Sequence, residues 1–356
     1  VQSMFGISFN AALWLLVWVI GIVGGIYAIF GGLKAVAVSD TLNGFALIIG
    51  GAMIPFFALK YLGNGSMIKG AEIVTNTHIQ KLTSWGAAND PVPWTTIFTG
   101  ILIVNFFYWT TNQAIIQRSL AAKSLAEGQK GILYAGVFLL FLPFILNLPG
   151  VVSFHIFGDS LKNIDLAYPT LVAKVLPKPL LGFFTACLFG AILSTFNSFI
   201  NSAATLFCYD IYRPVFNKNI SDEELIKVAK IVGTIIAIIS MVIAPLLQYG
   251  TGGLFLILKR FAGFFNIPIV ALVAVGFLNK TISGKAARIV VLLHVILYYS
   301  LVWIFKVQIN FTHVMGGLFI FDIVAMYILG IFFKRETPYV PSPKNKSNVD
   351  LTAWKY

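Results

Sequence analysis

Residues 190–205 read GAILSTFNSFINSAAT, a run apolar enough to cross a bilayer that nonetheless carries adjacent hydroxyls at Ser194 and Thr195. Two asparagines and three further hydroxyls follow within three turns. Three chemistries suit such a stretch. A membrane hydroxyl satisfies itself by bonding the carbonyl one turn back, which explains one such group better than a cluster. Small residues let helices approach closely, and Gly190, Ala191, Ser194, Ser198, Ser202 and Ala203 would form such a packing face. The third is an ion site. A dehydrated sodium ion accepts neutral oxygens from hydroxyls and backbone carbonyls, and it needs no carboxylate. Ser194 and Thr195, with the carbonyl of Ala191 one turn earlier, offer three such oxygens. The others would come from unwound carbonyls of a broken helix elsewhere.

Asn105, Tyr108 and Trp109 form a second polar and aromatic group, with Asn105 and Tyr108 three apart and so on one helix face. An amide that donates and accepts suits a sugar hydroxyl, and an aromatic plane suits a pyranose face or a gate. The same residues also suit an interfacial aromatic belt with a helix–helix hydrogen bond. Lys259 and Arg260 are two cations inside an apolar span. They either snorkel to an interface or face a cavity, where they would grip a carboxylate, the arginine bidentately. His78 and His155 have no metal-like partner spacing, and Cys187 and Cys208, 21 apart in one apolar segment, read as packing residues. The spans show no convergent His/Asp/Glu set for an enzyme and no phosphate-binding glycine loop.

The elements that position these residues are membrane helices. Of 356 residues 58% are hydrophobic and 11% charged, where a soluble domain carries about a quarter charged, so the surrounding solvent must be lipid. Nine stretches are long enough to span, near 11–31, 41–62, 94–117, 131–157, 179–209, 229–248, 253–278, 287–305 and 311–333. Alternate loops and the tail hold 16 of the 25 basic residues, which puts 32–40 and the tail in the cytoplasm and makes the net charge of +12 a topology signal, not a nucleic-acid footprint. The outward loop 63–93 contains a short amphipathic stretch at 66–83, with Trp85 and Trp94 placed for a headgroup belt, and 158–178 holds a second short surface helix. Residues 1–335 read as one transmembrane domain and 336–356 as a polar cytoplasmic tail or a loop before a further helix.

Several motifs resemble the sodium/solute symporter family, most closely its sodium/sugar branch. They are IYAIFGGLKAVAVSD at 26–40, WTTNQAIIQRSLAAKSLAEGQKG at 109–131, AILSTFNSFINSAATLFCYDIYRP at 191–214 and VDLTAWKY at 349–356. The resemblance implies the leucine-transporter-like inverted-repeat fold and a chain that begins at about the family's fourth core helix and stops before its last. It implies sodium ligation by Ala191, Ser194 and Thr195, a place for Asp40 on the sodium exit path, sugar contact for Asn105, an inner gate at Tyr108 and its support at Trp109. Arg118 and Asp210 fall on motif positions that suggest salt bridges or latches. Two departures weaken a galactose reading: Leu139 stands where a sugar-contacting lysine can occur, and Lys259 and Arg260 where a sugar-contacting glutamine and its acidic neighbour occur. The expectation is sodium-driven symport of a sugar or sugar-like solute across the inner (plasma) membrane, with lipid around the helices. A sugar acid or sialic acid, or a transporter-fold sensor, is the alternative.

Overall fold

The computed structural model describes residues 7–83, 85–88, 90, 92–161, 164–249, 254–340, 350 and 352–353, with the side chains of 28–30, 32–35 and 164 left out. Of the VDLTAWKY motif, residues 349, 351 and 354–356 lie outside the described residues. Twelve α-helices follow in order: α1 (Phe9–Leu62), α2 (Met67–Asn76), α3 (Gly100–Thr110), α4 (Gln113–Leu120), α5 (Leu125–Leu139), α6 (Leu148–Phe157), α7 (Ala167–Val175), α8 (Lys178–Leu206), α9 (Asp222–Ile243), α10 (Leu254–Leu278), α11 (Gly284–Tyr299) and α12 (Phe311–Phe332). Among the described residues the remaining pairing is two isolated bridges, so the all-helical expectation holds.

Eight helical stretches, not nine, are long and apolar enough to cross a membrane among the described residues. The expected span at 94–117 is broken. Thr110 and Thr111 turn their hydroxyls back onto the carbonyls of Phe106 and Phe107, and Asn112 caps α4 by accepting from the amide of Ala114 at 3.0 Å. A side chain that caps a new helix ends the old one. The loop expected at 32–40 is helical too, because α1 runs unbroken for 54 residues. At 1.5 Å per residue that is about 80 Å, more than twice the hydrocarbon core. It still supplies two crossings, Phe9–Tyr27 and Val36–Leu62.

The chain divides into two compact units, 1–82 with 132–254 and 83–131 with 255–356. In the first unit α8 lies along α1. A methyl on Gly24 would meet Leu193, Phe196 and Asn197 at 3.0–3.3 Å, and the amide of Asn43 donates to the carbonyl of Gly190 at 3.2 Å. Gly24 and Asn43 are separated by about 28 Å of straight helix, but their partners on α8 by about 10 Å at most. Hence α1 bends between them. The buried core of this unit, Ile54, Val74, Val152, Leu171 and Phe184, joins the end of α1 to α2, α6, α7 and α8. The short helices expected within 66–83 and 158–178 are α2 and α7, α2 capped by the Ser66 hydroxyl.

In the second unit α3, α10, α11 and α12 share a core of Ile103, Ile267, Tyr298, Val314, Met315 and Leu318. Every fourth residue along three of these helices is buried: Gly263, Ile267, Ala271 and Val275 on α10, Val290, His294 and Tyr298 on α11, and Leu318, Asp322 and Met326 on α12. The opposite faces expose large apolar side chains such as Phe265, Leu292, Ile320 and Ile331, as lipid-facing helices do.

Candidate functional site

The first site lies in the first unit, on the middle of α8. Ala191, Ser194 and Thr195 stand at i, i+3 and i+4, so one face carries all three. Thr195 donates its hydroxyl to the carbonyl of Ala191 at 2.9 Å, and Ser198 donates to the carbonyl of Ser194 at 2.7 Å. That is the self-satisfied arrangement of a membrane hydroxyl; it leaves a lone pair on the Thr195 oxygen, and the Ala191 carbonyl, which also accepts the helical N–H of Thr195, gains a free one when the hydroxyl turns its hydrogen away. The Ser194 hydroxyl is half-buried and takes no protein hydrogen bond among the described residues. Three neutral oxygens on one turn, two of them hydroxyls able to turn their hydrogens away, are a donor set suited to a small hard cation.

Asp40 sits inside α1, half-buried, and not at the end of a loop. One turn on, Asn43 bonds both Ser39 Oγ and the carbonyl of Gly190, each at 3.2 Å. Gly190 precedes Ala191, so Asn43 fixes the backbone that carries the candidate carbonyl ligand. Nothing in the spacing of the sequence pointed to Asn43, whose partner is 147 residues away. Asp210 is exposed in the π-helical continuation of α8, and the ion pair of that segment joins Arg213 to Asp222 at 3.4 Å. Arg118 donates to the carbonyl of Ala114 within α4.

The second site is a cavity of about 230 Å³ within the second unit. Asn105 of α3, Phe255 and Lys259 of α10, and Thr312 and Met315 of α12 line it. Asn105 donates to the carbonyl of Ile101 at 3.0 Å, and its own carbonyl oxygen takes no protein hydrogen bond among the described residues. Lys259 lies over the ring of Phe255, 5.4 Å from its centre. The structure thus brings Asn105 and Lys259 to one wall-lined space. It does not bring Tyr108, Trp109 or Arg260 there: the first two pack edge to face at 5.3 Å further along α3, and Arg260 lies over Phe311 at 5.6 Å. Thr312 and Met315 escaped the sequence reading. Asn310 before them is a helix cap, its side-chain Oδ1 accepting from Thr312 N at 3.0 Å, but a cap says nothing of which helix faces its first turn. Leu139 ends α5 with 42% of its surface exposed.

Polar groups at mid-helix beside a broken span are features that secondary transporters use. The profile of the sodium:solute symporter family matches residues 1–287, and the chain belongs to that family, one of transporters and not of enzymes. It is 44% identical over 349 residues to the uncharacterized symporter YidK of Escherichia coli (strain K12), covering 98% of this chain and 61% of the relative. It is 32% identical over 293 residues to the sodium/glucose cotransporter of Vibrio parahaemolyticus, covering 74% of this chain and 52% of the relative. The chain therefore spans between half and two thirds of the length of these curated relatives. Among solved structures, the substrate-bound outward-open state of a Na+-coupled sialic acid symporter matches with a TM-score of 0.74 at 21% identity, over 95% of this chain and 70% of that one. The fold is thus the leucine-transporter-like one.

Proposed function

We propose that this chain is part of a sodium-coupled symporter that carries a sugar or sugar-like solute into the cell by alternating access. The observation that carries the proposal is the oxygen set of Ala191, Ser194 and Thr195 on one face of α8, in a member of a sodium:solute symporter family. Sodium enters as co-substrate. It exchanges part of its hydration shell for the two hydroxyls and the carbonyl, which Asn43 steadies through Gly190. Asp40, half-buried on α1, offers the leaving cation a negative charge on the inward path. The solute takes the cavity of Asn105 and Lys259.

The driving force is sufficient. Each sodium ion crossing about 100 mV releases about 2.3 kcal/mol, and a tenfold gradient adds about 1.4 kcal/mol. Together they would concentrate a solute about 500-fold per ion coupled, at about 1.4 kcal/mol per factor of ten.

A second reading has its own support. Lys259 lines the same cavity as Asn105, and an ammonium there offers a carboxylate a charge-assisted hydrogen bond that a neutral sugar does not need. The solved neighbour is a sialic acid symporter. A sugar acid is therefore the alternative solute class. Uptake of labelled galactose, glucose, glucuronate and sialic acid by the full-length protein in liposomes, with and without an inward sodium gradient, tests both. Sodium-driven uptake of a neutral sugar supports the first reading, uptake of the acids alone the second, and sodium-independent uptake of any of them contradicts both.

A further inference from the structure

Inside the second unit, α11 and α12 hold His294 and Asp322 against each other, both with no exposed surface, with Nδ1 of the ring 2.7 Å from Oδ2 of the carboxyl. The other ring nitrogen, Nε2, lies 3.1 Å from the carbonyl oxygen of Gly263 on α10. Both nitrogens therefore face acceptors. A neutral imidazole has one N–H to give, so both contacts are satisfied only when the pair carries one proton more than a neutral ring and a carboxylate. That proton belongs to the pair and not to either member.

We propose that His294 and Asp322 form a proton-binding site, and that the bound proton holds α10 against α11 behind the solute cavity. Without it the ring donates to Asp322 or to Gly263, never to both. Keeping the bond to the carboxylate turns the Nε2 lone pair onto the Gly263 oxygen, and the two repel. The pair is also left with a net negative charge among apolar side chains, where Oδ1 of Asp322 already has no hydrogen-bond partner. The contact that gives way is the one to α10.

The surroundings make this contact consequential. Gly263 is packed so closely that a methyl group there would run into the Tyr298 hydroxyl and the end of Met315. Met315 and Lys259, the latter one turn before Gly263, both line the cavity. Of the charged and titratable groups on the packed helices, Tyr298 of α11 stacks on the His294 ring at 5.9 Å and donates to the carbonyl of Arg260 at 2.9 Å. Arg260 and Lys259 of α10 turn their cations to Phe311 and Phe255, and Lys285 and Arg288 are exposed near the start of α11. On α12, besides Asp322, His313 bonds Thr95 and Thr99 and Tyr327 is exposed; α3 carries an exposed Tyr108 and no charged side chain. The effect on solute rests on the cavity reading above, but the proton site does not.

Asp322→Asn separates proton from geometry. The amide donates to Nδ1, the ring keeps its Nε2–H for Gly263, and no dissociable proton remains. Hydrogen–deuterium exchange of peptides from α10 is measured on the full-length protein in nanodiscs, wild type against variant at the same pH, which cancels the pH dependence of exchange itself. The two agree at pH 6.5, and wild-type α10 exchanges roughly tenfold faster than the variant at pH 9.5, the scale of one lost hydrogen bond. Half-saturating solute for sodium-driven uptake rises over the same interval in wild type only. Coincident exchange profiles at every pH overturn the proposal. So does a variant whose α10 is already open at pH 6.5. Should the variant fail to fold, 15N-labelled histidine in wild type decides, His294 being assigned by the signal lost in His294→Asn: a hydrogen on Nε2 at pH 6.5 that is gone at pH 9.5 supports the site, and a ring whose Nε2 is the same at both overturns it. If α10 responds to pH while Lys259 substitutions leave uptake untouched, the proton site stands and the cavity reading falls.

Discussion

Ser194 and Thr195 are chemically alike and structurally different, and that difference can be measured. The Thr195 hydroxyl is exposed on α8 and bonds its own helix, and the Ser194 hydroxyl bonds nothing in the protein among the described residues. Neither supports the fold, so Ser194→Ala and Thr195→Ala leave thermal stability within about 1 kcal/mol of wild type. Each removes a sodium oxygen, and half-saturating sodium rises about tenfold or more, at about 1.4 kcal/mol per factor of ten. Thr195→Ser, which keeps the hydroxyl, stays close to wild type. Loss of stability without change in sodium dependence returns both residues to helix packing. Lys259→Gln argues the solute at the same scale: uptake of a sugar acid loses tenfold or more in affinity as a charge-assisted bond becomes a neutral one, and uptake of a neutral sugar holds. The residue types of both sites were legible in the sequence because polar groups in apolar spans are conspicuous. Asn105 and Lys259, 154 positions apart, were joined only through the resemblance, and His294 and Asp322 are joined by packing of α11 on α12 that no spacing reports.

The seam between α1 and α8 carries the first site and tolerates little added volume. A methyl on Gly190 would sit 2.6 Å from Oδ1 of Asn43, within the hydrogen bond that steadies the backbone before Ala191. Gly190→Ala therefore destabilises the protein by about 1–3 kcal/mol and weakens sodium binding as well, read by thermal unfolding in detergent and by sodium titration of uptake. Gly182 is the control, since a methyl there meets nothing within 4 Å. If both alanine variants melt alike, the seam does not depend on Gly190. Hydropathy revealed the elements themselves: eight of the nine expected stretches are spanning helices, and α2 and α7 fall inside the stretches read as short surface helices. It could not reveal where a helix stops without leaving the membrane. At Thr110, Thr111 and Asn112 three side-chain hydrogen bonds end α3 and start α4, and a window of mean hydropathy averages over them. The converse happened at 32–40, where Lys34 and Asp40 suggested a loop and the backbone stays helical.

Over the whole molecule the orientation expected from the basic residues, which counts 94–117 as a crossing, is one that labelling can check. A cysteine at Asn76, exposed at the end of α2, reacts with an impermeant maleimide from outside the cell, and one at Asn219, exposed before α9, reacts only after the membrane is opened. The native Cys187 and Cys208 are buried and contribute no background. Reversed labelling would invert the direction of transport inferred from the loops. Family and fold were legible in motifs spread along the chain, and the profile match over residues 1–287 and the TM-score of 0.74 agree with them. The solute was not, because one lysine in place of a glutamine admits two chemistries. The most direct test of the central claim is uptake by the full-length protein in liposomes, driven by an inward sodium gradient, beside the Ser194→Ala/Thr195→Ala double variant. Accumulation of a sugar or sugar acid that requires the gradient and is lost in the variant is the predicted result. Accumulation that proceeds without sodium, or that survives both substitutions unchanged, would contradict it.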